Sequence, residues 1–153
     1  MSTPATATAT VEVACDPATA FDVFTADIGR WWKRGTRYWN EPDKAQELRF
    51  EPRVGGRLVE VHDLDSGEGF EIGRVLVWEP GQRLVFTWRQ GDWDASATTD
   101  VEVRFESIEG GTRVTVEHGG WDRVPSAGTG MAEGYSHGWA ELLGLYAEKA
   151  GAR

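Results

Sequence analysis

The sequence predicts an α+β domain: a curved antiparallel sheet of about seven strands around one long C-terminal helix, with two short helices after the first strand. Between Ala45 and His118 apolar and polar residues alternate with period two, and turn chemistry separates the segments. After Pro125 the pattern becomes helical, with Met131, Tyr135, Trp139, Leu142 and Tyr146 recurring at i, i+4, i+8, i+11 and i+15. Strands followed by one amphipathic helix place that helix's apolar stripe against the sheet.

Residues 1–7 are small and low in complexity and read as a frayed terminus, with a single domain over 8–150. Val11 and Val13 flank Glu12 in a half-buried first strand. Asp16-Pro17 opens a helix, because an Asp N-cap accepts an orphan backbone N–H and Pro is pre-set for the first helical position. Ala20, Phe21 and Phe24 form its apolar stripe, and a second short helix ends at Trp31-Trp32. Hairpins follow, turning at Val54-Gly55-Gly56, Asp65-Ser66-Gly67, Glu79-Pro80-Gly81-Gln82 and Glu109-Gly110-Gly111. Leu84, Phe86 and Trp88 share one strand face; Val101, Val103 and Phe105 share another, as do Val114, Val116 and His118.

A chain of 153 residues buries roughly 70% of its unfolded surface, enough for one core without staples. The net charge of −9 opposes nucleic acid and anionic membrane surfaces, whose recognition rests on Lys and Arg neutralising phosphates. The lone Cys15 has no partner for an internal disulfide, and neither a leader pattern nor an apolar run of about 18 residues is present, so cytoplasmic residence without membrane insertion is the expectation. Eight Trp are a clear excess of a large amphipathic side chain.

Trp31-Trp32, Val54-Gly55-Gly56, Glu79 to Trp88, Gly111-Thr112-Arg113-Val114, His118-Gly119-Gly120-Trp121 and Gly138-Trp139 with Leu142-Leu143 follow one another in an order and spacing that resembles the activator of heat-shock-protein-ninety ATPase homologue family of START-like (SRPBCC) domains. The resemblance covers almost the whole chain. It implies the helix-grip fold, whose sheet and final helix commonly enclose a hydrophobic cavity, in a group that includes lipid carriers, hormone binders, aromatic cyclases and chaperone-associated domains. The additional N-terminal chaperone-binding domain of the eukaryotic co-chaperones is not in this sequence, and the shared motifs supply no catalytic residue.

The expected function is binding or carrying a small hydrophobic, aromatic-compatible molecule, with no cofactor. Trp31, Trp32, Trp88, Trp121 and Trp139 are the candidate walls, joined by Tyr135 on the helix stripe; each could equally serve core packing, and the collective excess carries the argument. His118 is the best titratable candidate for a polar contact, and His62 and Glu71, with Glu60, stand on neighbouring strands where they could converge as acid and base. The histidines lack metal-site spacing, and no nucleophile elbow, phosphate loop or dinucleotide fingerprint occurs. Two other readings stay open: a cyclase, isomerase or hydrolase acting on an apolar substrate, and a protein-interaction module exposing the aromatics between Trp31 and Trp39. The basic loop Lys33 to Arg37 could meet an anionic head group, and a homodimer through a sheet edge or the Trp-rich loop is compatible with the sequence.

Overall fold

The computed structural model describes residues 6–33, 38–94, 96–124 and 131–151. Strands β1 (Ala7–Val13), β2 (Glu47–Phe50), β3 (Arg57–Val61), β4 (Gly69–Glu79), β5 (Arg83–Trp88), β6 (Thr99–Ile108) and β7 (Gly111–Gly119) form one antiparallel sheet in the order β1-β7-β6-β5-β4-β3-β2. Helices α1 (Pro17–Thr25) and α2 (Ile28–Trp31) separate β1 from β2, and α3 (Met131–Ala150) closes the chain across the curled sheet. The helix-grip expectation is borne out. Ala7 corrects the frayed stretch at its last residue: it pairs with His118 and is fully buried, so β1 starts there.

The caps form as read. Asp16 accepts the Thr19 N–H at 2.7 Å, and this bond, with its side-chain counterpart from Thr19, holds the Asp16 carboxyl below its ordinary range. The stripe of α3 buries Trp139, Leu142, Leu143 and Tyr146 against the sheet and α1, and the Tyr146 hydroxyl donates to the Ala20 carbonyl at 2.7 Å.

Aromatic packing differs at the two ends of the space between sheet and α3. At one end Phe21, Phe24, Trp31, Phe105 and Tyr146 meet ring to ring at 5.2–6.0 Å and leave the interior filled. Trp31, 3% exposed, belongs to this end and donates its indole N–H to the Val23 carbonyl at 3.0 Å. At the other end the aromatics stand around an open space.

One irregularity decides what enters that space. Arg57 pairs with Arg74 and Leu58 with Gly73, but the register then slips and Val59 pairs with Glu71. Ile72 is therefore an extra residue in β4, a bulge that reverses the facing of everything beyond it. Gly73 allows the bend, because a Cβ there would sit 1.7 Å from the Thr87 carbonyl oxygen. Glu60 consequently opposes Phe70, and Glu71 turns to the outer face.

Candidate functional site

A cleft of about 800 Å³ lies between α3, the end of β5 and residues 38–41. Its lining includes Trp32, Trp39, Trp88 and Trp139, together with Tyr38, Phe70, Met131, Tyr135 and Leu142. The volume falls within the range of small-molecule sites, and the mainly apolar lining with a few polar groups has the same character. Gly134 and Gly138 also line it, one helical turn apart on α3; a Cβ at Gly134 would meet nothing within 4 Å. Bare Cα atoms on this face keep the space open.

The indole N–H groups fix the walls. Trp32 donates to the Tyr38 carbonyl at 3.1 Å and Trp39 to the Lys33 carbonyl at 2.7 Å, closing the segment on itself. The Tyr38 hydroxyl donates to Glu141 on α3 at 2.7 Å, and Lys33 pairs with the same carboxylate. The rings of Trp32, Trp88 and Trp139 meet mutually at 5.9–6.2 Å, so three walls of the cleft are one packed unit. Trp31, Trp32 and Trp39 are all buried, so they form no exposed aromatic patch. Of the basic loop, Arg34, Gly35, Thr36 and Arg37 lie outside the described residues, as does Pro125.

Trp121 and His118 sit behind the wall rather than in it. His118 is fully buried, stacked at 4.4 Å on Trp121 and edge-on to Tyr135 at 4.9 Å. Its Nδ1 accepts the Trp139 indole N–H at 3.0 Å. An indole nitrogen only donates, so Nδ1 carries no proton and the Nε2–H donates to Thr99 Oγ1 at 2.7 Å; the Thr99 hydroxyl in turn donates to the Trp88 carbonyl at 3.1 Å. Burial pushes the imidazole down to about 3, and both ring nitrogens are spent inside the protein. His118 is thus a neutral strut behind Trp88 and Trp139, and the expectation that it reaches a ligand does not match its position.

His62 and Glu71 are likewise outside the cleft. Glu71 sits on the outer face and pairs with Arg74 at 2.8 Å. His62 lies 2.8 Å from Glu60 and 3.5 Å from Glu41. Glu60 is the buried member: its carboxylate accepts the Asn40 N–H at 2.7 Å, the Glu41 N–H at 2.9 Å and the His62 Nε2–H, while Asn40 Oδ1 accepts the Gly91 N–H at 2.8 Å. This clasp ties β3 to the two segments that rim the cleft. Among the described residues no group of three or more His, Cys, Asp or Glu could hold a metal ion, and no helix is long and apolar enough to cross a membrane.

Of the nine residues singled out from sequence, Trp32, Trp88, Tyr135 and Trp139 come together around the cleft. Trp39, Phe70 and Gln90 were missed as lining. The bulge hid Phe70, whereas the aromatic character of the Trp31 to Trp39 segment was a signal for Trp39.

A curled antiparallel sheet gripping a C-terminal helix, with an aromatic cleft between them, defines the START-like class of α+β domains. Within that class the chain belongs to the Activator of Hsp90 ATPase homolog 1-like family, whose model matches residues 14–146. An anthrahydroquino-gamma-pyrone synthase, Txn09, is similar at 30% identity over 94% of this chain and 96% of that one, with a TM-score of 0.61. The Aha1 dimer from Colwellia psychrerythraea shares the fold at 16% identity over 95% of each chain, TM-score 0.66. PFC0360w, an HSP90 activator from Plasmodium falciparum, does so at 21% identity over 90% and 89%, TM-score 0.62. No curated protein sequence matches the chain.

Proposed function

We propose that this protein binds a small, uncharged, largely aromatic molecule in the cleft between β5, α3 and residues 38–41. The observation that carries the reading is the set of four indoles, Trp32, Trp39, Trp88 and Trp139, lining one space of about 800 Å³. Indoles bring large apolar area with few rotatable bonds, so little ordering entropy is lost when a flat molecule settles against them. Covering roughly 200 Å² of apolar ligand surface contributes about 5 kcal/mol before the cost of association, which by itself corresponds to a Kd of about 0.2 mM.

The test is a titration of the protein with naphthalene-sized probes, followed by tryptophan fluorescence, on the unaltered chain and on Gly134→Phe. The substitution projects a ring into the cleft from a position where a Cβ meets open space. Affinity is expected to fall by about tenfold or more, the factor that goes with blocking ~50 Å² of contact. Equal affinity in both proteins would overturn the cleft assignment.

Turnover of the bound molecule is the second reading, favoured by the similarity to Txn09. Among the described residues the polar side chains that line the cleft are Tyr38, Asn40, Glu41, Gln90, Asp92 and Tyr135, so an acid or base among them would come from this set rather than from His118 or Glu71. Product analysis after incubation with the tightest-binding probe separates a carrier from an enzyme.

A further inference from the structure

Tyr135 carries a polar arrangement that bears on which aromatic molecules the cleft takes. The Trp88 indole N–H donates to the Tyr135 hydroxyl oxygen at 3.0 Å, and the Gln90 side-chain amide donates to the same oxygen. The indole can only donate, so the phenolic oxygen is an acceptor here, and two N–H groups occupy its two lone pairs. What remains is its own O–H. Among the described residues no acceptor is placed for that proton, although the ring stands in the cleft lining beside Trp139.

Two N–H groups drawing on the phenol oxygen make its remaining O–H a stronger donor toward whatever occupies the cleft. Burial raises the Tyr135 pKa above its ordinary value, against the smaller opposing effect of the two N–H donors, so the proton stays in place at neutral pH. The remaining charges select against an anion: Glu41 and Asp92 line the same cleft, and no Lys or Arg does so among the described residues.

We propose that the Tyr135 hydroxyl is a hydrogen-bond donor aimed at a neutral acceptor oxygen of the ligand, and hence that the cleft selects aromatic carbonyl compounds over aromatic hydrocarbons of equal shape. The proposal rests on the binding reading above and adds the ligand's chemical class to it. Trp88 and Gln90 act as positioning residues, because both hold the phenol oxygen.

The experiment uses two probes of the same shape, 2-acetylnaphthalene and 2-isopropenylnaphthalene, which differ by C=O against C=CH₂. Each is titrated into the unaltered protein and into Tyr135→Phe, and the carbonyl stretch of the ketone is followed by infrared difference spectroscopy. The expected result is a ketone-to-alkene affinity ratio that drops roughly fivefold in Tyr135→Phe, the factor one neutral hydrogen bond contributes. With it goes a lowered carbonyl frequency in the unaltered protein that returns to the unbonded value in the variant. If both probes bind and neither ratio nor frequency changes, the donor role is overturned while the cleft reading stands. A lowered frequency that survives Tyr135→Phe but disappears in Gln90→Met would overturn it in favour of the amide. If neither probe binds, the cleft reading fails and this inference falls with it. The frequency in the unaltered protein needs no variant to fold, and an unshifted carbonyl there also overturns the proposal.

Discussion

His118 shows how far a residue's surroundings decide what it can do. With Nδ1 held by Trp139 and Nε2–H given to Thr99, the imidazole is complete only when neutral. Its folded pKa, about 3, lies below the ordinary value of 6.5, so between those limits the unfolded chain binds a proton that the native protein does not. Stability contributed by this residue is therefore intact above pH 6.5 and is lost as pH falls toward 3, at up to ~1.4 kcal/mol per pH unit. Urea midpoints measured from pH 7 to pH 5 should decline, and His118→Gln should decline less steeply by close to one proton. Histidine ring NMR gives an independent check: the Nε2–H tautomer should persist unchanged at pH 5, and a His118 signal titrating between pH 6 and 7 would contradict the strut. Parity along β7 put this side chain on the inner face from sequence alone. Its separation from the cleft by Trp88 and Trp139 was not legible, because it depends on side chains from two other elements meeting it.

At the scale of elements, the β3–β4 hairpin turns two similar acids into opposites. Without the bulge at Ile72 the register Leu58 to Gly73 would continue to Glu60 opposite Glu71, and both carboxylates would share the inner face. The one-residue slip keeps Glu60 inside and sends Glu71 out. Period-two alternation and turn glycines made every strand and the helix stripe readable, but an extra residue inside a strand leaves the alternation on either side intact and so gives no warning. The energetic consequence is testable. Glu60→Ala removes the acceptor of the Asn40, Glu41 and His62 N–H groups and should cost about 3 kcal/mol in urea unfolding, since buried donors lose their partner. Glu71→Ala breaks an exposed pair with Arg74 and should cost under about 0.5 kcal/mol. The rim of the cleft depends on the same clasp, because Asn40, held by Glu60, holds Gly91. Ligand affinity should accordingly fall in Glu60→Ala and stay unchanged in Glu71→Ala.

Over the whole molecule, the filled aromatic end and the open one divide labour between stability and binding. Phe21, Phe24, Trp31 and Tyr146 make a core that needs no ligand, whereas Trp32, Trp88 and Trp139, though buried, line an open space that something else can fill. A molecule that fits there binds the native state only, so at a hundred times its Kd it should add about 2.7 kcal/mol, a rise in Tm of roughly 5–10 °C for a chain of this length. The net charge of −9, with Glu41 and Asp92 beside the cleft, adds a sign to this expectation. Comparing 2-acetylnaphthalene with 2-naphthoate at equal concentration should give the larger Tm rise for the neutral ketone at about 10 mM ionic strength. The gap should narrow at about 0.5 M, where screening shortens the reach of the acidic groups to a few ångströms. An anion that stabilises the protein as well as the ketone at low salt would require cationic groups at the cleft mouth and would overturn the assignment of a neutral ligand.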